Sequence, residues 1–518
     1  MKKSVILYIT ILVTGLTACN DWLDIRPESQ TVLEDFWQSE SQATQVLSAC
    51  YSGMQQDNYM ARMLFWGELR SDNLIAGNSP ASDISRILNT NITPTNVYAD
   101  WGAFYTVINY CNTFLHFAPG VLQKDQNFTP SKLHTLEAEA RAIRALSYFY
   151  LVRAFRDVPL VTEPSITDDQ NYYIAKSTER VVLDTIIADL KFAQKYARTT
   201  FGKGEYNKGR ITLRAVNAIL ADVYLWDNQF DNCVAACNQV LNDNTLELVR
   251  GEKVINEVFY KGNSTESIFE LQFDEKVRTN NIISQAYGVY GFFGVLNFPQ
   301  QLTTAAGTFS PFIYPVGSTK ESEKDLREYY SFASVPNDYD GYSIYKYAAV
   351  DLEESSTGVY TPILRTSATT VNWVMYRLSD VILMKAEALA QLTLTNNSKT
   401  EILNLVNKTY LRSNPLADSL QVSNYSDKEA LERLVLRERH RELLFEGKRW
   451  FDLMRFVRRK NDAKVMLSYI SFKLTGNSMG VSKMSVMDAL YMPVLKSQID
   501  INPNLTQNPF YTDENMSN

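Results

Sequence analysis

The chain has 518 residues, 45% hydrophobic and 21% charged, with a net charge of −7, a length that holds two or three average domains or one large helical array. An acidic balance gives no general attraction for phosphate backbones, which removes nucleic acid from the expected partners. Only 3 histidines argue against a His-rich metal site, whereas 30 Tyr, 25 Phe and 7 Trp supply rings for helix interfaces or for flat platforms under sugars and peptides.

Lys2 and Lys3 are followed by an apolar stretch over residues 5–16, about a dozen residues, too short to span a bilayer but right for a signal-peptide core. It ends in Leu16-Thr17-Ala18-Cys19, which resembles a lipobox, the site where bacterial lipoproteins are diacylated on the cysteine. Residues 1–18 are therefore expected to be a lipoprotein signal peptide, with Cys19 the lipidated first residue of the mature chain. Two acyl chains, each adding roughly 0.8 kcal/mol per buried methylene, anchor stably where one does not. No other run in the sequence approaches the roughly 20 apolar residues of a membrane-spanning helix. The remaining cysteines, Cys50, Cys111, Cys233 and Cys237, give no clear disulfide framework. Cys233 and Cys237 sit four apart in a helical pattern, with Cβ atoms about 5–6 Å apart, beyond disulfide reach.

Helical periodicity marks residues 34–54, 101–117, 133–155, 179–197, 213–227 and 230–241. Within 133–155, Ala138, Ala142 and Ala145 run into Leu146, Phe149 and Val152, small enough at one end for a neighbouring helix to approach closely. Leu220-Ala221-x-x-Tyr224, with Phe230 at the turn and Cys233 and Cys237 beyond it, matches a tetratricopeptide pattern. Residues 376–392 read similarly. Such hairpins cannot bury their apolar faces alone, so they are expected to stack as an α-solenoid. Between residues 264 and 370 glycines and prolines recur, with short β-like runs at 267–273 and 342–347; this predicts a loop-rich insertion containing a few small strands.

Glu438, Glu442 and Glu446 recur every four residues among Arg437, Arg441 and Arg449. Glycoside hydrolysis needs two carboxyls roughly 5–9 Å apart across an open cleft; on one dense helix, with arginines at one- and three-residue spacing, an ion-pair network is the simpler expectation. His440-x-Glu442 lacks the second histidine of a zinc-protease motif, Gly288, Gly291 and Gly294 lack a nucleotide-binding context, and the serines lack a Gly-x-Ser-x-Gly elbow. Neither catalysis, nor a metal, nor a cofactor is expected.

Sugars are held by aromatic faces beneath their C–H surfaces and by Arg, Asn and Asp side chains on their hydroxyls. Two stretches offer that mixture: Tyr59, Trp66, Arg70, Asp72 and Asn73, and Tyr287, Tyr290, Phe292, Phe293, Phe298 and Tyr314. The same rings would equally serve as core packing. The run 287–293 is the more suggestive, because its glycine spacing would leave some rings uncovered.

Several segments together resemble the SusD/RagB family of lipoproteins. After Cys19, Asn20-Asp21-Trp22-Leu23-Asp24-Ile25-Arg26-Pro27 is similar to the family's opening. Gly67-Glu68-Leu69-Arg70-Ser71-Asp72-Asn73 looks like a second element, and residues 137–149 leading to Asp157-Val158-Pro159-Leu160 like a third. The sharpest matches are Arg437-Glu438-Arg439-His440-Arg441-Glu442-Leu443-Leu444-Phe445-Glu446-Gly447-Lys448-Arg449-Trp450-Phe451-Asp452-Leu453-Met454-Arg455 and the closing Asn502-Pro503-Asn504-Leu505-Thr506-Gln507-Asn508-Pro509. His440, where the family usually has Arg or another long polar residue, and Val494, where Ile is commoner, depart from the pattern. The resemblance implies a mainly helical fold with tetratricopeptide-like units, as one unit over residues 19–518. Its N-terminal part would cover about 20–245, and its second part about 264–518, including the insertion at 264–370. It further implies a cell-surface, outer-membrane lipoprotein that captures glycan, or in some members peptide, for a SusC-like TonB-dependent transporter.

Overall fold

The computed structural model describes residues 36–74, 81–166, 169–287, 325–334, 342–356, 360–365, 369–425, 427–474 and 476–512. Helix α1 (Glu40–Met54) starts six residues later than the expected 34, because the Ser39 side chain accepts from the Gln42 backbone N–H and fixes the cap there. A helix the periodicity did not mark follows at once, α2 (Asp57–Glu68), and then the short α3 (Ser82–Leu88). Helices α4 (Gly102–Val121) and α5 (Pro130–Phe155) lie next. Thr129 caps α5 and Pro130 supplies its first turn, where a missing N–H costs nothing. From Ala138 to Phe155 almost every residue of α5 except Arg141 is buried, polar side chains included, so α5 is the central rod rather than an amphipathic surface helix.

A two-residue ladder joins β1 (Val158–Pro159) to β2 (Lys176–Ser177). Helix α6 (Glu179–Tyr196) then packs back on α5, α7 (Leu213–Trp226) on α6, and α8 (Phe230–Leu241) on α7. Cys233 and Cys237 are packed residues on α8, both 0% exposed. After β3 (Ser267–Leu271) and α9 (Asn281–Ala286), the insertion contributes antiparallel pairs between β4 (Phe332–Ser334) and β5 (Tyr342–Ile344), and between β6 (Ala349–Glu354) and β7 (Tyr360–Leu364). β3 pairs with β8 (Trp373–Arg377), a segment the sequence pattern assigned in part to the following helix; that helix, α10, begins at Leu378 and runs to Gln391.

Helix α10 seats on α8 and carries α11 (Asn396–Ser413) and α12 (Lys428–Glu442). Helices α4 to α8 are thus each neighbour to the next, and α10 resumes the series on α8 and continues through α11 and α12, while the short α9 packs on α2; this is the stacking expected of tetratricopeptide-like hairpins, with a loop-rich insertion and a few short strands. The fold is mainly α-helical. Helix α13 (Arg449–Lys460) closes the core against α2. Burying each Leu, Ile, Val or Phe of this interior stabilises it by roughly 1.5–3 kcal/mol.

The run 437–455 is not one helix. α12 stops at Glu442, and the chain turns through Phe445 (φ 62°) and Gly447 (φ 70°) before α13. Glu446 therefore sits in a turn and does not continue the helical face of Glu438 and Glu442. The turn forms because α2 crosses it at Gly67: a Cβ there would lie 1.8 Å from the Gly447 carbonyl oxygen. Both positions have to be glycine, one for the close approach and one for the positive φ.

Candidate functional site

The charged residues of the C-terminal signature converge on a sealed interior. Arg327 pairs with Glu438 at 2.8 Å and Glu442 at 3.0 Å, and Arg377 pairs with Glu442 at 2.6 Å and Glu446 at 2.7 Å. Arg412 bridges Glu266 and Glu442. Burial alone would push the Glu442 carboxyl up, but Arg412, Arg377 and Arg327 outweigh it and hold it well below the usual carboxylate range. Lys346 donates to the Glu442 and Leu444 carbonyls and to Glu446, tying the turn down. Beside this cluster Arg439 joins Asp380 and Asp452, and Arg455 joins Asp452 and Glu387. Glu438, Glu442 and Glu446 are at most 2% exposed, so no glycosidic bond can lie between them. Removing one member of such a buried pair strands its partner, at a cost of about 3–5 kcal/mol.

The first predicted sugar cluster is part of the same interior. Trp66 is 2% exposed, its indole N–H donates to the Tyr98 carbonyl, and its ring stacks on Phe104. Tyr59 is fully buried and also stacks on Phe104. Arg70 donates to the carbonyls of Ala489 and Leu490 and lies over Trp450. Asp72 accepts two 2.7 Å hydrogen bonds from Arg449, which with His440 overcome the effect of burial and bring its carboxyl down to about 2. Asn73 bridges His440 and Glu68. Tyr59 and Trp66 pin α2 to α4, while Arg70, Asp72 and Asn73 tie the segment after α2 to Leu490, α13 and α12; all are buried, and the reading of Trp66, Arg70, Asp72 and Asn73 as sugar contacts is corrected to a structural one. Tyr287 is likewise buried, its hydroxyl donating to the Phe445 carbonyl. Cys19, Tyr290, Phe292, Phe293, Phe298 and Tyr314 lie outside the described residues.

The open surface beside the insertion is a groove that no run of sequence marked. One part, about 390 Å³, is lined by Gln56, Asp57, Asn58, Val277, Arg278, Thr279 and Asn281. The adjoining part, about 380 Å³, shares Gln56 and Asn58 and continues along Ser52 and Gly53 of α1 and Thr106 and Tyr110 of α4. Arg278 donates to the Gln56 side chain at 2.8 Å, and Asn281 to Asp57 at 3.1 Å, so the α1–α2 turn is latched to the segment entering α9. Asn280 caps α9 with its side-chain oxygen and donates to the Val371 carbonyl. The groove therefore lies along residues 277–281, at the entry to α9. Tyr110 is 38% exposed and lies against Gly53, where a Cβ would come 3.5 Å from its ring. Carboxamides, hydroxyls, one guanidinium, one carboxylate and one ring are the groups that hold a sugar.

A second cleft, about 310 Å³, runs between Tyr105 and Asn109 of α4 and residues 160–165 and 170–174. Among the described residues no cluster of three His, Cys, Asp or Glu side chains could hold a metal ion, and no helix is long and apolar enough to cross a membrane.

Residues 21–225 match a family model described as "Starch-binding associating with outer membrane", and residues 320–511 match one described as "SusD family". The chain is similar to the SusD-like protein P38 of Formosa agariphila, 28% identical over 498 residues and covering 88% of this chain and 92% of that protein. The SusD-like protein P2 of the same organism is 26% identical, covering 88% and 91%. A SusD superfamily protein of Bacteroides vulgatus superposes with a TM-score of 0.72 at 20% identity, over 92% of this chain and 99% of that one. A SusD homolog of Bacteroides thetaiotaomicron gives the same score and identity over 93% and 99%. With a stacked-hairpin fold, the buried arginine–carboxylate signature and both family models in agreement, the chain belongs to the SusD family.

Proposed function

We propose that the chain is a lipid-anchored protein of the outer-membrane surface that binds oligo- or polysaccharide and delivers it to a SusC-like TonB-dependent transporter. The observation that carries this reading is the match of residues 21–225 to the starch-binding, outer-membrane-associating family. The groove chemistry supports it: the C–H face of a sugar ring stacks on Tyr110, while Gln56, Asn58, Asp57 and Arg278 pair with hydroxyls. Tyr290, Phe292, Phe293 and Tyr314 are the further rings that the sequence offers to a sugar. Cys19 carries the acyl chains after removal of residues 1–18, and residues 19–518 act as one unit. The role is binding without turnover, which fits the sealing of Glu438, Glu442 and Glu446 inside the protein.

Isothermal titration of the mature chain against a panel of polysaccharides and peptides tests it. At least one glycan should bind, and Tyr110→Ala should weaken it about tenfold, the loss of ~1.4 kcal/mol of stacking, with an unchanged melting temperature. Tyr290→Ala and Phe293→Ala should each weaken it as well. Peptide binding with no glycan binding would shift the reading to peptide capture by the same fold; unchanged affinity in all three variants would place the site elsewhere.

A further inference from the structure

Two of the cysteines that gave no framework in sequence face each other in space. Cys50 on α1 and Cys111 on α4 are both 0% exposed thiols. The register of the two helices is set at Gly53, where a Cβ would lie 2.8 Å from Val107 Cγ2 and 3.5 Å from the Tyr110 ring. At the other end of α1 the Glu40 N–H donates to Asp125, just past the end of α4, at 3.0 Å, so the two helices run antiparallel and one turn back along α1 from Gly53 brings Cys50 opposite the residue one turn on along α4 from Val107, which is Cys111. The Cys50 thiol donates to the Val46 carbonyl of its own helix at 3.5 Å. The glycine lets the helices approach closely at this point, and a close approach is what a disulfide needs.

We propose that Cys50 and Cys111 are joined by a disulfide in the exported protein, locking α1 to α4 beneath the groove. The inference rests on the surface-lipoprotein reading for its oxidising setting; the chemistry itself needs only a disulfide oxidant. A thiolate of one cysteine attacks the disulfide of glutathione, or of an exchange protein of the exported compartment, forms a mixed disulfide and releases one thiol. The second cysteine then displaces the remaining thiol. The Cys50–Cys111 bond forms, two protons and two electrons leave the pair, and the oxidant is reduced to two thiols. Both thiols are 0% exposed once the helices have packed, so exchange takes place before α1 docks on α4. The bond would lie directly under Ser52 and Gly53 on one wall and Thr106 and Tyr110 on the other, holding the groove at one width.

Cys233 and Cys237 form an internal control. They too are buried, but they are successive turns of α8, with Cβ atoms about 5–6 Å apart against the ~3.5–4.5 Å of a disulfide.

The full mature chain, with Cys19→Ala to keep it soluble, is refolded in oxidised and reduced glutathione, alkylated under denaturing conditions and digested without reduction. Mass spectrometry should find one peptide joining Cys50 to Cys111, two hydrogens lighter than its parts, with Cys233 and Cys237 alkylated in the same sample. Reduction should lower the melting temperature by about 4 °C, for a closed loop of about 60 residues in a chain of about 500, and Cys50→Ala or Cys111→Ala should remove that redox sensitivity. Alkylation of all four cysteines after oxidative refolding, or a bond between any other pair, would overturn the proposal. The mass spectrum of the unsubstituted pair decides even if a variant fails to fold. Because the assay reads thiol chemistry in vitro, a negative result leaves the surface-lipoprotein reading standing, and a non-exported protein leaves this result standing.

Discussion

At position 440 the imidazole Nε2 lies 2.5 Å from Asn73 Oδ1, and Nδ1 is 3.9 Å from Asp72. Burial and then Arg449 bring the ring down to about 3, with Asp72 only partly opposing them. The folded state thus keeps His440 neutral, while the unfolded chain takes up a proton near 6.5. Between those values the unfolded state binds more protons, so stability is lost as pH falls from about 6.5 towards 3, by up to ~1.4 kcal/mol per pH unit. Asp72, held at about 2, adds its own loss only below its ordinary 3.8. Glu68, pushed by burial up to about 8, works the other way: it stays protonated when folded, so its contribution falls as pH rises from 4.5 to 8. Urea unfolding of wild type and His440→Gln from pH 4.5 to 6.5 separates these, since Glu68 is common to both. The variant should lose stability less steeply on acidification; parallel curves would contradict the assignment. The same neighbourhood shows where residue-level reading stopped. Trp66, Arg70, Asp72 and Asn73 are the residue types that bind sugar, and they are also the types that pin a buried junction. What decides is their partners, Leu490, Arg449 and His440, which lie more than 360 positions away in sequence.

Helices α7 and α8 were legible because each carries its own apolar face, a turn at Phe230 and small packed positions, all within thirty residues. The break between α12 and α13 was not. Its turn puts a positive φ on Phe445, a residue type that gives no such warning, and it forms only because α2 crosses from far away in the chain. Gly67 and Gly447 make that crossing, and the Gly447 N–H donates to Glu68 at 3.1 Å. Gly67→Ala should therefore cost at least about 2 kcal/mol, as overpacking against backbone, and Gly447→Ala about 1–2 kcal/mol for the left-handed conformation. Together they should cost less than the sum, since both relieve the same contact. Denaturant unfolding checks this; a loss under ~0.5 kcal/mol for Gly67→Ala would show that α2 does not press on the turn.

Across the whole molecule, the sequence carried the stacked-hairpin architecture, the loop-rich insertion and the family signature, because those reside in local periodicity and contiguous motifs. The groove escaped it, since Gln56, Asn58, Tyr110 and Arg278 come from three separated segments and meet only after α1, α2 and α4 have packed. The architecture places a rigid helical stack behind an open, sugar-compatible face, with its charges spent inside on holding the signature turn. The account then hinges on where binding happens. Native cells and cells lacking the gene are incubated with the fluorescently labelled polysaccharide that binds best in titration, washed, and counted. Cells with the wild-type gene should retain label in excess of the deletion strain, and a gene encoding Tyr110→Ala should restore little of it. Equal label on wild-type and deletion cells would contradict capture of glycan at the cell surface by this protein.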